Sequence, residues 1–261
     1  QNFDSNLYFL LGLAFCFRLP GINAVLASDE LAMVSIWSQM PYEKIFHNYQ
    51  YPNNHIFLTL ILSFLLKNFG LYEWLLRLPT LFCGILSIYL GYQTGKEFGK
   101  EAGIITGFLL TLSTWHIFFS TNARGYLVIM VLAQFCFLKL QGGIERDPKI
   151  TKNEFWFSIT FLNFAGWTMI WVLGSWTLPT FIFFQLSLAV YLSGIFIFKR
   201  TSNKTKNFIV PYLSLLMGLV IFYLQYYILI SPEMLESAQL KAAKTPFDSF
   251  FEQVMFHWLA P

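Results

Sequence analysis

Apolar residues fall along this chain in long runs separated by short polar intervals. A helix that crosses a bilayer needs roughly 20 mostly apolar residues. Runs approaching that length occupy residues 77–95, 102–118, 125–140, 155–172, 176–198 and 208–230, with a shorter one at 6–19. The pattern predicts an all-α membrane protein of about seven transmembrane helices, forming a single module over residues 1–261. The run at 55–69 fits either a short crossing or a segment lying in the interface.

One polar interval, 20–76, is much longer than the others and holds two amphipathic pieces. In the first, Ser28 is a good N-cap and Asp29 and Glu30 fill the first turn, where the helix dipole favours anions. Met33, Ile36, Trp37 and Met40 follow at the spacing of one apolar face, and Pro41 ends the pattern. In the second, His55, Thr59, Ser63 and Lys67 recur every four residues on an otherwise apolar helix. Such a helix lies in the interface with its polar stripe toward protein or water.

Charge sets the direction. Lys and Arg collect in short cytoplasmic loops. Lys96 and Lys100, then Arg146, Lys149 and Lys152 with Lys139 at the edge, then Lys199, Arg200, Lys204 and Lys206 form three clusters. All three share one side if 55–69 does not cross. The N-terminus is then inside, and 20–76, 119–124, 173–175 and 231–261 lie outside. His47, His55, His116 and His257 fall on or near that outer side. Trp115, Trp171 and Trp176 stand at outer helix ends, as interfacial tryptophans do.

Composition agrees. Of 261 residues, 56% are hydrophobic and 12% charged, against roughly 25% charged in an average soluble domain; mean hydropathy is +0.54. A net charge of +3, dispersed as it is, gives no footprint for nucleic acid. Cys16, Cys83 and Cys136 lie far apart in apolar runs and read as small buried hydrophobes. The sequence begins with Gln1 and stops at Pro261 just after an amphipathic stretch. Residues 231–261 therefore read as the start of a second large outer loop in a longer protein.

Several outer residues could carry chemistry. Asp29 and Glu30 fit either helix-end acids or a general base, and a metal ligand is a third role. Asn53, Asn54 and His55 fit either a capping cluster or a phosphate site at a helix N-terminus. Arg124, in the short turn Thr121–Tyr126, is either an interfacial anchor or a clamp on an anionic group. Arg77 opens a spanning helix and can snorkel outward. His116 and His257 read as lone core or surface histidines. There is no Gly-rich phosphate loop, zinc spacing or Ser/His/Asp order.

The ordered set is nevertheless distinctive. An Asp29-Glu30 pair follows the first membrane helix, and Pro52-Asn53-Asn54-His55 comes next. Arg77-Leu78-Pro79 with Gly84, Tyr89 to Gly99, and Leu112 to Ser120 lead into Ala123-Arg124-Gly125-Tyr126. Over residues 15–135 this order resembles the membrane glycosyltransferases of the GT-C class. It looks most like the branch containing protein O-mannosyltransferases and bacterial lipid A aminoarabinose transferases. The resemblance implies a polyprenyl-phosphate sugar donor, an acceptor that is a protein, lipid or glycan, and transfer with inversion at the outer or luminal face. It implies Asp29 as the catalytic carboxylate that receives the acceptor proton, with Glu30, Asn54, His55, Arg77, Arg124 and Tyr126 expected as substrate-binding residues. A divalent metal is compatible with such sites; because Asn122 stands where relatives often carry a second acid, none is assigned. The expected location is a bacterial or archaeal plasma membrane rather than the endoplasmic reticulum, with the bilayer itself as partner. The competing readings are a polytopic transporter, for which paired broken helices are missing, and a non-catalytic membrane subunit related to glycosyltransferases.

Overall fold

The structure, a computed structural model, describes residues 4–47, 54–145, 155–198 and 208–229. The basic clusters at 146–152 and 199–206, together with Asn53, His257 and the stretch 231–261, lie outside them.

The described residues are helical, without strands: α1 (Ser5–Ile22), α2 (Ser28–Ala32) continued by a π-helical turn (Met33–Trp37), α3 (Tyr42–His47), α4 (Ile56–Phe69), α5 (Glu73–Lys96), α6 (Lys100–Leu112), α7 (Thr114–Ser120), α8 (Tyr126–Glu145), α9 (Phe155–Thr177), α10 (Phe181–Phe198) and α11 (Ile209–Leu229). Two of them, α1 and α5, are long and apolar enough to cross a bilayer. The pair α6 and α7 passes the same test as one span bent by 65°. The helices α4, α8, α10 and α11 are apolar but shorter by that test. Outward faces are also apolar: Phe9, Phe82, Leu109, Phe183, Val190 and Val220 are all exposed. A surface of that kind is stable against lipid and not against water.

The long helix α5 is the axis. Its buried face runs Arg77, Thr80, Gly84, Ser87, Gly91 and Gly95, a row of small and polar side chains. Small residues let neighbouring backbones approach, as packing within a membrane demands. A Cβ at Gly84 would collide with the Ser120 side chain of α7. Arg77 and Lys96 bracket this row and stand roughly 28 Å apart at 1.5 Å per residue, close to the thickness of a hydrocarbon core. At the Lys96 end, Asp4 accepts a hydrogen bond from Tyr92 and lies 3.9 Å from the Lys96 amine. At the Arg77 end, the long polar interval between α1 and α5 folds back over the bundle.

Three expectations need correction. The apolar face of the first amphipathic piece comprises Met33, Val34 and Trp37, while Ile36 is half exposed. The cause is the π turn: Ser38 N–H and Oγ both reach back to Met33 O, so one extra residue enters the turn and the 3.6 period slips. Trp171 is not interfacial. It is fully buried among Cys136, Phe181 and Leu215, and its indole N–H donates to Ser214 Oγ at 3.2 Å. Helix α9 runs on to Thr177, which leaves Trp171 well inside it. Of the cysteines, only Cys136 is buried; Cys16 is exposed and Cys83 intermediate.

The polar stripe of α4 behaves as its period predicts. His55, Thr59 and Ser63 are fully buried against protein. Lys67, at the exposed end, donates to Met40 O at 2.9 Å. Fourteen residues make this helix roughly 21 Å long, short of a full crossing.

Candidate functional site

Helix α2 begins at Ser28 with Ala27 as its N-cap, one residue before the cap that Ser28 would supply. The orphan N–H of Ala27 is taken by the Glu30 carboxylate at 2.9 Å, half of a capping box. That carboxylate is 1% exposed and is engaged on every side. Arg77 meets it with a two-pronged contact, Nε to Oε1 at 2.9 Å and Nη2 to Oε2 at 2.8 Å. The Ala123 N–H, in the turn between α7 and α8, donates to Oε1 at 2.6 Å. Arg77 spends its remaining hydrogens on the carbonyls of Gly21, Ile22, Ala24 and Val25, which follow from the end of α1. Glu30 and Arg77 are therefore given to each other, and they tie together α1, α2, α5 and the Ala123 turn.

Asp29 is the neighbour of Glu30 in sequence but not in environment. Its side chain is 53% exposed and forms an ion pair with Arg124, whose side chain is 10% exposed. The guanidinium of Arg124 lies 5.2 Å from the centre of the Tyr126 ring, and its Nη2 is 3.4 Å from His55 Nε2. The other ring nitrogen of His55, Nδ1, accepts the Gly125 N–H at 2.7 Å. Only glycine fits here. A Cβ on residue 125 would collide with Thr177 and stand 2.9 Å from His55 Nδ1.

Burial, and then the Arg124 cation, push the His55 imidazole down to about 3. It is neutral at ordinary pH. Because Nδ1 is an acceptor, the single ring proton sits on Nε2. Arg124 Nη2 and His55 Nε2 are thus two donor nitrogens 3.4 Å apart, close enough for a single oxyanion to take a hydrogen bond from each. Tyr126 packs edge-on against His55 with ring centres 5.6 Å apart and fixes both partners.

Asn54, also a candidate, turns inward. Its Nδ2 donates to Ile45 O at 3.2 Å and its Oδ1 accepts from Thr59 at 2.9 Å, so it joins α3 to α4. Among the described residues, no group of three or more His, Cys, Asp or Glu side chains is arranged to hold a metal ion.

A second polar cluster lies inside the bundle, joining His116 to Arg18, an arginine hidden within the apolar run 6–19. Arg18 of α1 is fully buried. It donates to Ser120 Oγ at 3.1 Å, to Ala14 O at 2.8 Å, to Thr111 O at 3.5 Å, to Leu110 O at 3.4 Å and to His116 Nδ1 at 2.8 Å. His116 stands 3.1 Å from Ser87 Oγ through its other nitrogen. The carbonyls of Leu110 and Thr111 are orphaned because α6 stops at Leu112, where Ser113 caps α7. Arg18 supplies their missing donors. The signal was available: an arginine inside an apolar run is rare and has a partner.

Three separate segments, entering at α2, before α4 and before α8, thus bring Asp29, His55 and Arg124 together at the Arg77 end of the bundle. No family model matches the chain, and no curated protein or solved structure does.

Two measurements check this geometry. Glu30→Gln leaves the Arg77 guanidinium buried without its counter-charge and should destabilise the protein by about 3–5 kcal/mol, the range for breaking one half of a buried pair. Thermal unfolding in detergent reads this directly, and a melt unchanged by the substitution contradicts the buried pair. For His55, the folded value near 3 lies below the ordinary 6.5, so the unfolded chain takes up the proton first. Stability from this residue is complete above about pH 6.5 and is lost as pH falls toward 3. Between pH 7 and 5, above most carboxylates, His55→Asn should flatten the dependence of melting temperature on pH. Parallel curves for the two proteins would rule out a buried neutral His55.

Proposed function

We propose that this protein transfers a sugar from a polyprenyl-phosphate donor to an acceptor hydroxyl at the outer membrane face, with inversion. The supporting observation is the meeting of one half-exposed carboxylate, Asp29, with two neighbouring donor nitrogens, on Arg124 and His55. A displacement at an anomeric carbon needs both kinds of group. The carboxylate takes the proton from the attacking hydroxyl. The donors meet the charge that grows on the departing phosphate, usually the largest catalytic contribution. Tyr126 orients the donors, and the Glu30–Arg77 pair holds the loop that carries Asp29. Asn54 serves through the placement of His55. The reading assigns no metal.

In this reading α1, α5, the bent α6–α7 pair, α8, α9, α10 and α11 make seven crossings, and α4 lies in the interface. The end marked by Lys96 and Lys100 faces the cytoplasm. The prenyl tail approaches from the bilayer, between helices.

Asp29→Asn tests the chemistry in membranes supplied with polyprenyl-phosphate hexoses. Transfer should fall by roughly 10²–10⁴-fold, the weight of general-base catalysis, while the melt should fall by less than for Glu30→Gln, because the Asp29 carboxylate is half in water although Arg124 is buried. Undiminished transfer removes Asp29 as the base. Sidedness has its own test in a variant without native cysteines. Val25→Cys, at a position 91% exposed, should react with an impermeant maleimide from outside; Phe98→Cys, at a position 74% exposed, should react only after permeabilisation. The opposite pattern inverts the protein.

A further inference from the structure

The two neighbouring acids differ in how firmly they are held. Glu30 is locked by Arg77, Ala27 and Ala123. Asp29 has Arg124 as its one side-chain partner among the described residues. In this state, the oxygen that should receive a proton is occupied by a cation, and the cation that should receive a phosphate is occupied by the base. The site holds its two working groups against each other.

We propose that Arg124 is handed from Asp29 to the phosphate of the donor, so that donor binding releases the base. This rests on the function proposed above and adds an order to it: donor first, acceptor second. The phosphate competes for the same Nη groups and gains the His55 Nε2–H, which the Asp29 carboxylate does not engage in the resting structure. Helix α2 can let Asp29 go because Glu30, not Asp29, anchors it. In the transfer step, the bond from the anomeric carbon to the phosphate oxygen breaks and its electron pair stays with the phosphate. The acceptor oxygen bonds to that carbon, and its proton passes to Asp29. The product is a prenyl monophosphate with one more negative charge than the diester, and Arg124 is already beside it. Acceptor attack is thereby limited to the moment when a phosphate is in place to leave.

The hand-over predicts that Asp29 is a competitor of the donor. Binding of farnesyl phosphate to the detergent-solubilised full chain, read by titration calorimetry, tests this. Asp29→Asn should bind about fivefold tighter than the unsubstituted protein, and Asp29→Ser serves if Asp29→Asn does not fold. Asp29→Glu, which keeps the charge, should return to the original affinity. Arg124→Gln should weaken binding in every background, and farnesol should not distinguish the variants. A pair with a merely structural role would lower affinity when Asp29 is neutralised. If Asp29→Asn and Asp29→Ser bind equally or more weakly while Arg124→Gln still weakens binding, the hand-over is wrong and the phosphate site stands. If binding is independent of Arg124, both the hand-over and the glycosyl-transfer reading fall.

Discussion

The buried contact between Glu30 and Arg77 is the constraint on which this structure depends. Taking two opposite charges out of water costs several kcal/mol for each ion, and their attraction offsets that only with good geometry and further hydrogen bonds. Both conditions are met here. The contact has two parallel prongs, and the remaining hydrogens and lone pairs reach backbone groups from Gly21 to Ala27 and at Ala123. A pair of this kind adds little net stability compared with an apolar pair of similar size, but it accepts one arrangement. In the connection from α1 to α2, Leu26 packs against the apolar cluster around Met33 and Trp37, while Val25 is exposed. A buried cation calling for carbonyls fixes the rest of its path.

Arginine solves a second problem of the same type in the middle of the bundle. The bend between α6 and α7 leaves helix-end carbonyls without donors in a region where water is scarce. Arg18 closes them from the adjacent helix and, through Ser120 and His116, sets the height of α7. The turn bearing Arg124 follows immediately. Arg18–His116 and Arg124–His55 are thus two arginine–histidine pairs with opposite hydrogen-bond logic. In the first, the imidazole nitrogen facing the arginine accepts its N–H. In the second, that role is already filled by the Gly125 N–H on the far side of the ring, so arginine and histidine meet as donors. In the first pair the arginine is satisfied by the imidazole and nearby carbonyls; in the second the arginine carries the Asp29 carboxylate.

Much of this was legible in the sequence where the signal is a period or a cluster. The stripe His55, Thr59, Ser63 gave the buried face of α4, because four-residue spacing on an apolar helix has one geometric meaning. The helical class followed from the apolar runs. What was hidden shares a physical origin: it depends on pairings between distant segments or on departures from the ideal helix. Asp29 and Glu30 are indistinguishable as a dipeptide, and only the position of Arg77 separates the locked acid from the exposed one. The face Met33, Ile36, Trp37, Met40 was misjudged because a π turn changes the period on which such a face is counted. Trp171 was misplaced because its helix extends past the apolar run that located it. The bend before Ser113-Thr114 was concealed by apolar residues on both sides, although a Ser-Thr pair in such a run is a capping signal. Arg18 was the clearest missed sign, since a guanidinium in a span requires partners that the sequence alone does not supply.

The contrast between the two adjacent acids also joins a buried anchor to a half-exposed acid in one site. A carboxylate that moves during a reaction cannot be the one that fixes the loop, because releasing it would release the loop as well. Placing the anchor one residue further along a helix turns it about 100° to the other side. Glu30 then faces the bundle, with Arg77 beneath it, while Asp29 faces out toward the Arg124 turn. The anchor fixes where Asp29 stands, and because Ala123 is bonded to the same anchor, it fixes Arg124 one residue later as well. One buried carboxylate sets the registration of both halves of the Asp29–Arg124 pair, so their separation is decided by a group that is itself shut off from solvent.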